Sequence, residues 1–347
     1  MKPVAFALLL AAATATSAAE LPEHLRDTGL AMGHVQDDPA IAAFSPQYPL
    51  WSDGAEKRRW VRLPPGASID ASRPDAWQFP VGTRLWKEFS VAGRPVETRY
   101  MERQADGSWR FATYVWTEDG RDAVLAPERG TVVTLPQGAH YQVPGRGDCL
   151  ACHGGARVPV LGFGALQLSP DRDPLAPHAR TPSAAADGPK AAASVDLPAL
   201  VARGWLRGLP PALLAHPPRI AADSPVERAA LGYLHGNCAQ CHHAGDGRVP
   251  VRLNLEQSAA DPAKSHADAL RSMVGAPSRY RPPGFGDDAR VVVPGDFAAS
   301  VLTTRMQSRH ARVQMPPLGT ERPDAEGLAL VYHWITHDLP TRKEPRP

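Results

Sequence analysis

Cysteine is scarce in this chain: four residues in 347, all of them confined to two short motifs. At most two disulfides can form, and between cysteines on adjacent turns they would constrain little of a fold. Long apolar runs are equally rare. Val4 to Ala13 is almost wholly apolar, but it is too short to span a bilayer with its flanks, and no second run exists. A dominant charge is missing as well. Lys and Arg number 38 against 36 Asp and Glu, a net of +2, and the basic residues are scattered, so nothing points to nucleic acid. Between His153 and Cys238 there is no methionine at all. Proline, by contrast, is plentiful, 37 of 347, about double the usual ~5%. With moderate aliphatic content, that fits a loop-rich protein whose core is partly supplied by a bound group.

The four cysteines form Cys149-Leu150-Ala151-Cys152-His153 and Cys238-Ala239-Gln240-Cys241-His242. Cys-x-x-Cys-His is the attachment pattern for covalent haem. Each thiol adds across a haem vinyl group to form a thioether, and the adjacent histidine reaches the iron as proximal ligand. A zinc site also uses paired Cys-x-x-Cys, yet it gives no reason for histidine after both second cysteines. The 85 residues between Cys152 and Cys238 also exceed the span of a zinc ribbon. A thioredoxin-like dithiol needs only one motif. The expectation is two covalently attached c-type haems, with His153 and His242 as iron ligands.

The N-terminus agrees. Met1-Lys2, the apolar run and Ser17-Ala18-Ala19 read as a signal peptide over 1–19, cleaved before Glu20. No cysteine lies at the cleavage site, so a lipoprotein anchor is not expected. Haem is attached to such motifs on the exported side of the bacterial inner membrane. The expectation is therefore a soluble periplasmic protein with a redox protein partner, no nucleic acid and no stable membrane span.

The fold class expected is α+β: a β-rich N-terminal domain (20–140), then mainly α-helical, loop-rich cytochrome c-type haem regions. Strands are expected at Arg58–Leu63, Thr83–Val91, Val96–Arg103 and Trp109–Trp116, rich in aromatic and β-branched residues. Ala92-Gly93, Asp106-Gly107 and Asp119-Gly120 between them supply hairpin turns. An antiparallel sheet or small sandwich follows, with the aromatics in its core. Residues 141–222 hold the first motif and a low-complexity linker, 183–194. Asp196–Arg207 reads as a short helix with Leu197, Leu200, Val201 and Trp205 on one side.

Residues 223–347 read as a class I cytochrome c-like domain. Ser224-Pro225-Val226-Glu227 is a capping box with proline at the first helical position, opening a helix that runs into Cys238. Asp324 caps a final helix with Leu328, Val331, Tyr332, Trp334 and Ile335 at three- and four-residue spacing. Where those two helices cross, Gly232 against Trp334 is the expected contact of a small residue with an aromatic. Between them, Met315-Pro316-Pro317-Leu318-Gly319 presents a thioether on a proline-stiffened loop, so Met315 is expected to be the distal ligand of the second haem, favouring Fe(II). The 72 residues between His242 and Met315 imply insertions around 258–288.

The first haem has no such partner. His178, His216, His140 and Met306 are the candidates, together with Met101 and His235, or none of them; His178 is the weak first choice. His235, one turn before Cys238, belongs more naturally beside the second haem. A histidine there would give bis-His coordination. An open iron would admit a small molecule, and peroxide chemistry would then want a glutamate or a Gln/His pair above it. Three readings follow: an electron carrier, a di-haem peroxidase-type enzyme, or a binding protein whose β-domain docks a partner.

These motifs, with Tyr233-Leu234-His235-Gly236-Asn237 before the second, resemble a bacterial family of exported di-haem c-type cytochromes. So do Trp51-Ser52-Asp53-Gly54-Ala55-Glu56-Lys57-Arg58, Phe79-Pro80-Val81-Gly82-Thr83, Glu97-Thr98-Arg99 and Tyr114-Val115-Trp116. The resemblance spans nearly the whole chain after residue 19. It implies haem binding by Cys149, Cys152, His153, Cys238, Cys241, His242 and Met315, and electron transfer, but no particular substrate.

Overall fold

The computed structural model describes residues 20–30, 38–136, 138–179, 194–245, 249 and 251–341. The expected signal peptide and nearly all of the 183–194 linker lie outside them. The architecture is α+β. Strands β1 (Ile41–Ala43), β2 (Glu56–Arg62), β3 (Ile69–Asp70), β4 (Arg84–Val91), β5 (Arg94–Arg103), β6 (Trp109–Trp116) and β7 (Ala123–Leu125) come first. All but β3 join one antiparallel sheet in the order β1-β2-β4-β5-β6-β7. The expected strands are present to within two residues at each end. Ala92 and Gly93, with φ of 50° and 74°, make the primed turn between β4 and β5 whose twist matches that of the strands.

The sheet is covered on both faces because its alternating residues are apolar on both. Trp60, Trp86, Tyr100 and Tyr114 pack on one side with Leu25 and Leu30, and the Trp86 indole donates to Thr28 Oγ1 at 2.8 Å. On the other side Val61, Leu85, Met101 and Phe111, paired in register, enter the main core. That core is continuous from Ala42 to Leu339, so the segments expected as separate domains share one interior.

Strands β8 (Thr131–Thr134) and β9 (His140–Val143) form a hairpin that leads into helix Arg146–His153. After the linker the expected helix is shorter than anticipated. Asp196 caps it by accepting from the Ala199 amide, and it ends at Ala202. The chain then turns, and Leu206–Arg207 becomes a strand, β10, parallel to β3. Trp205 is therefore not a helical residue, because pairing with Ile69–Asp70 takes this segment into a sheet.

Helix Pro225–Cys238 begins as expected, with Ser224 Oγ accepting from the Glu227 amide. Helices Pro262–Met273 and Val301–Gln307 occupy the insertion before the Met315 loop. Asp324 caps helix Ala325–His333, which continues as a wide turn over Trp334–Asp338. Val331, Trp334 and Ile335 are fully buried, whereas Tyr332 is exposed, so it does not join the expected face. The crossing of first and last helices also differs from expectation. A Cβ on Gly327 would collide with the Tyr233 ring, and one on Gly232 would collide with Tyr48. Small meets aromatic at Gly327 and Tyr233, while Tyr48 from the chain before β2 occupies the notch at Gly232. Trp334 instead points its indole N–H at the buried Glu227 carboxylate, 3.2 Å away. Among the described residues no helix is long and apolar enough to cross a membrane.

Candidate functional site

Helix Arg146–His153 sets the first motif. Asp148 holds its start by accepting from the Gly145 amide at 2.9 Å. Cys149, Cys152 and His153 stand at i, i+3 and i+4, the spacing that puts three side chains on one helical face. His153 Nδ1 lies 2.6 Å from the Pro159 carbonyl oxygen. A carbonyl only accepts, so Nδ1 carries the proton and Nε2 keeps its lone pair. That is the second-sphere arrangement a metal-binding imidazole needs. Burial brings the His153 pKa down to about 4, so the ring is neutral at pH 7. It stacks at a tilt on Phe111, 5.2 Å between centroids.

The second motif repeats the face by a different route. Cys238 ends its helix, but its carbonyl accepts from the amides of Cys241 (3.1 Å) and His242 (2.9 Å), which carries the helical turn onward. Burial, then the charges of Arg305 and His243, lower the His242 pKa to about 4. Its Nδ1 is buried with no partner. Arg305 also ties down the Met315 loop: its carbonyl accepts from the Met315 amide at 3.0 Å and its Nε donates to the Val313 carbonyl at 2.8 Å. Arg305, whose charge bears on His242, thus also holds the backbone of Met315. Asp53 pins the far end of the loop by accepting from the amides of Glu321 (2.9 Å) and Arg322 (3.0 Å).

All four thiols are unbridged. Burial pushes Cys152 up to about 11, with a further contribution from nearby Cys241, and Cys238 up to about 12. Neighbours that would favour thiolates are outweighed. Nor do the cysteines gather around a point: among the described residues, three or more potential ligand atoms converge only at Asp223, Glu227 and His266. A tetrahedral four-cysteine zinc site is therefore not pre-formed.

The two motifs adjoin. Cys152 and Cys241 sense each other's charge, His243 Nε2 lies 2.9 Å from the Gly155 carbonyl, and Arg157 makes a two-pronged ion pair with Glu256 at 3.0 and 3.1 Å. Between them and the sheet lies a cavity of about 1220 Å³, walled by Cys149, Cys152, His153, Met101, Phe111 and Ala239 among others. Neutral imidazole, two thiols on one face and an apolar hollow fit a covalently held haem at the first motif. The second offers the same spacing and a methionine whose backbone Arg305 holds, though its histidine Nδ1 lacks the carbonyl partner that His153 has and its cysteines and histidine do not line this cavity. No family model, no curated protein and no solved structure matches the chain.

The candidates for the first motif's other axial position fare differently. His178, the first choice from sequence, is spoken for: Nε2 lies 2.9 Å from both Asp324 oxygens and Nδ1 3.4 Å from Glu326. Its ring rests on Trp51, and it is not among the cavity's lining residues. His216 is exposed at the end of helix Ala212–Ala215. Met306 is buried in the main core. His140 is exposed at the cavity wall, and Met101 is a buried lining residue. His235, assigned from sequence to the second haem, also lines this cavity. Its Nδ1 accepts from the Gln257 amide at 3.0 Å, so the neutral ring carries its proton on Nε2 and has no lone pair for iron. Beside it Gln257 lines the same cavity, 4% exposed, with a buried Nε2 that has no partner. Sequence reasoning missed this His/Gln pair: nothing local to residue 257 marks it.

Proposed function

We propose that this chain is a periplasmic di-haem c-type cytochrome of the exported family it resembles, transferring electrons through two covalently bound haems to a redox protein partner. The observation that carries the reading is the first Cys-x-x-Cys-His face set against a largely apolar cavity, with the second Cys-x-x-Cys-His motif adjoining it. When bound, haem supplies one-electron chemistry. The chain's own part is attachment, orientation and burial. Cys149 and Cys152, and Cys238 and Cys241, would hold the two groups, with His153 and His242 as proximal ligands and Met315 as distal ligand at the second. The Pro159 carbonyl fixes the tautomer of His153, and Phe111 fixes its ring plane. Closeness of the motifs is what a carrier needs. Export by the residue 1–19 segment belongs to the same reading.

A second reading, a di-haem peroxidase-type enzyme, draws support from His235 and Gln257. Both residues line the cavity that contains His153, where no sixth ligand stands among the described residues. Such a pair would orient a small oxidant through hydrogen bonds.

The experiment is a ferric and ferrous optical spectrum of periplasmically matured protein, before and after carbon monoxide, with haem quantified by pyridine haemochrome. Two haems per chain and no carbon monoxide shift are expected for the carrier. Two haems with one binding carbon monoxide would transfer the weight to the enzyme. Fewer than two in fully matured protein would refute both.

A further inference from the structure

The cavity face of the sheet carries a row of like charges. Register pairs Arg59 with Lys87 across β2 and β4, and Lys87 with Arg99 across β4 and β5. All three side chains line the cavity. Directly opposed like charges destabilise a sheet, and taking each out of water adds a penalty of its own. The described residues offer little to offset this. Arg99 shares Glu97 with the Tyr141 hydroxyl, at 2.6 and 2.8 Å. Arg59, 8% exposed, has no carboxylate partner among the described residues, and Lys87 has the ring of Phe89 beneath it, 4.8 Å from Nζ, with no ion pair beyond the longer-range pull of Glu97, which Arg99 already holds. The row also has a direction. Arg99 acts on Cys149, Cys152 and His153, Lys87 on Cys152 and His153, and Arg59 on none of them. Strand order says the same: Phe111 on β6 touches His153, and Arg99, Lys87 and Arg59 follow on β5, β4 and β2, each one strand further from it.

A haem attached through its vinyl edge carries its two propionate carboxylates on the opposite edge. We propose that the Arg59–Lys87–Arg99 row is a carboxylate-binding site that takes the propionates of the haem held by Cys149 and Cys152. The inference rests on the haem reading above and adds which groups of the chain neutralise the far edge of that haem. It explains why three cations are tolerated side by side in a half-closed cavity: charge-assisted bonds to carboxylate replace the water they lose.

The test uses holoprotein whose haem is isotopically labelled at the propionate carboxyl carbons, with Lys87→Met and Arg59→Gln beside the wild type. Haem is counted first, so that failure of the haem reading shows separately as fewer than two per chain in the wild type. With two present, the labelled carboxylate bands in redox-induced infrared difference spectra should shift in both variants. Lys87→Met should also lower Tm by about 2–4 °C, since it removes a partner from a bound anion. Lys87 is half-buried and Met keeps its stem, so this variant keeps the test alive should Arg59→Gln fail to fold. Unmoved labelled bands with an unchanged or higher Tm would overturn the proposal, because relief of like-charge repulsion would then be the only effect. A second result would overturn the propionate assignment: succinate raising the Tm of wild-type holoprotein but not of Lys87→Met, with labelled bands unmoved. That would mark the row as a site for a free carboxylate.

Discussion

The two Cys-x-x-Cys-His faces are alike in sequence and unlike in their walls. The first stands against a sheet, its histidine bonded to Pro159 and its surroundings cationic. The second stands among helices, its histidine lacking a partner at Nδ1 and its neighbourhood closed by the Met315 loop. A local motif fixes which atoms meet a haem; the wall behind it decides what else the iron meets. On the proposed reading the second site would take a His/Met pair, and the first leaves its other side to the cavity.

The largest effect expected is from removing one attachment. Cys149→Ala with Cys152→Ala should take the holoprotein from two haems to one and leave the Met-ligated spectrum, while Cys238→Ala with Cys241→Ala should remove that spectrum. The same residual spectrum from both would break the comparison. Next is Met315→Ala, which should lower one of two potentials and create a carbon monoxide-binding, high-spin iron; an unchanged spectrum would remove Met315 from the site.

Gly327→Ala probes the helical wall alone. Overpacking against Tyr233 should cost about 1–3 kcal/mol in urea unfolding, with the first site's potential unmoved. The effect hardest to read belongs to the sheet wall, because it emerges only as a slope with pH. Burial, then Arg59 and Arg99, bring the Lys57 ammonium from 10.5 down to about 7. Between those values the unfolded chain holds the extra proton, so stability rises with pH across that window. Lys57→Met should flatten the rise in Tm between about pH 7 and 10; equal curves would show that folding does not lower the Lys57 pKa.

What could be read from sequence was local. The i, i+3, i+4 spacing at Cys149 and Cys238, the caps at Ser224 and Asp324, and strands such as Trp109–Trp116 each depend on neighbours within one turn or one pleat. What could not be read depended on register between distant segments. The choice of Gly327 rather than Gly232 to receive the Tyr233 ring turns on how two helices slide, and on Tyr48, 184 residues before Gly232, filling the notch. Arg59, Lys87 and Arg99 are unremarkable in three separate strands and become a row only through sheet pairing. His178 looked free because Asp324, 146 residues on, is silent in the local pattern. Strand β10 is a similar case, since Leu206–Arg207 has no partner until β3 is folded beside it.

The clasp of Asp53 on the amides of Glu321 and Arg322 closes a loop of 268 residues. A chain emerging N-terminus first presents Asp53 long before its partners. Contacts of such separation form late, so the loop that carries Met315 is pinned only after residues 321 and 322 have emerged. Both Cys-x-x-Cys-His motifs precede it in the chain. Were haem attached as proposed, the thiols would be on offer while the Met315 loop is still unlatched.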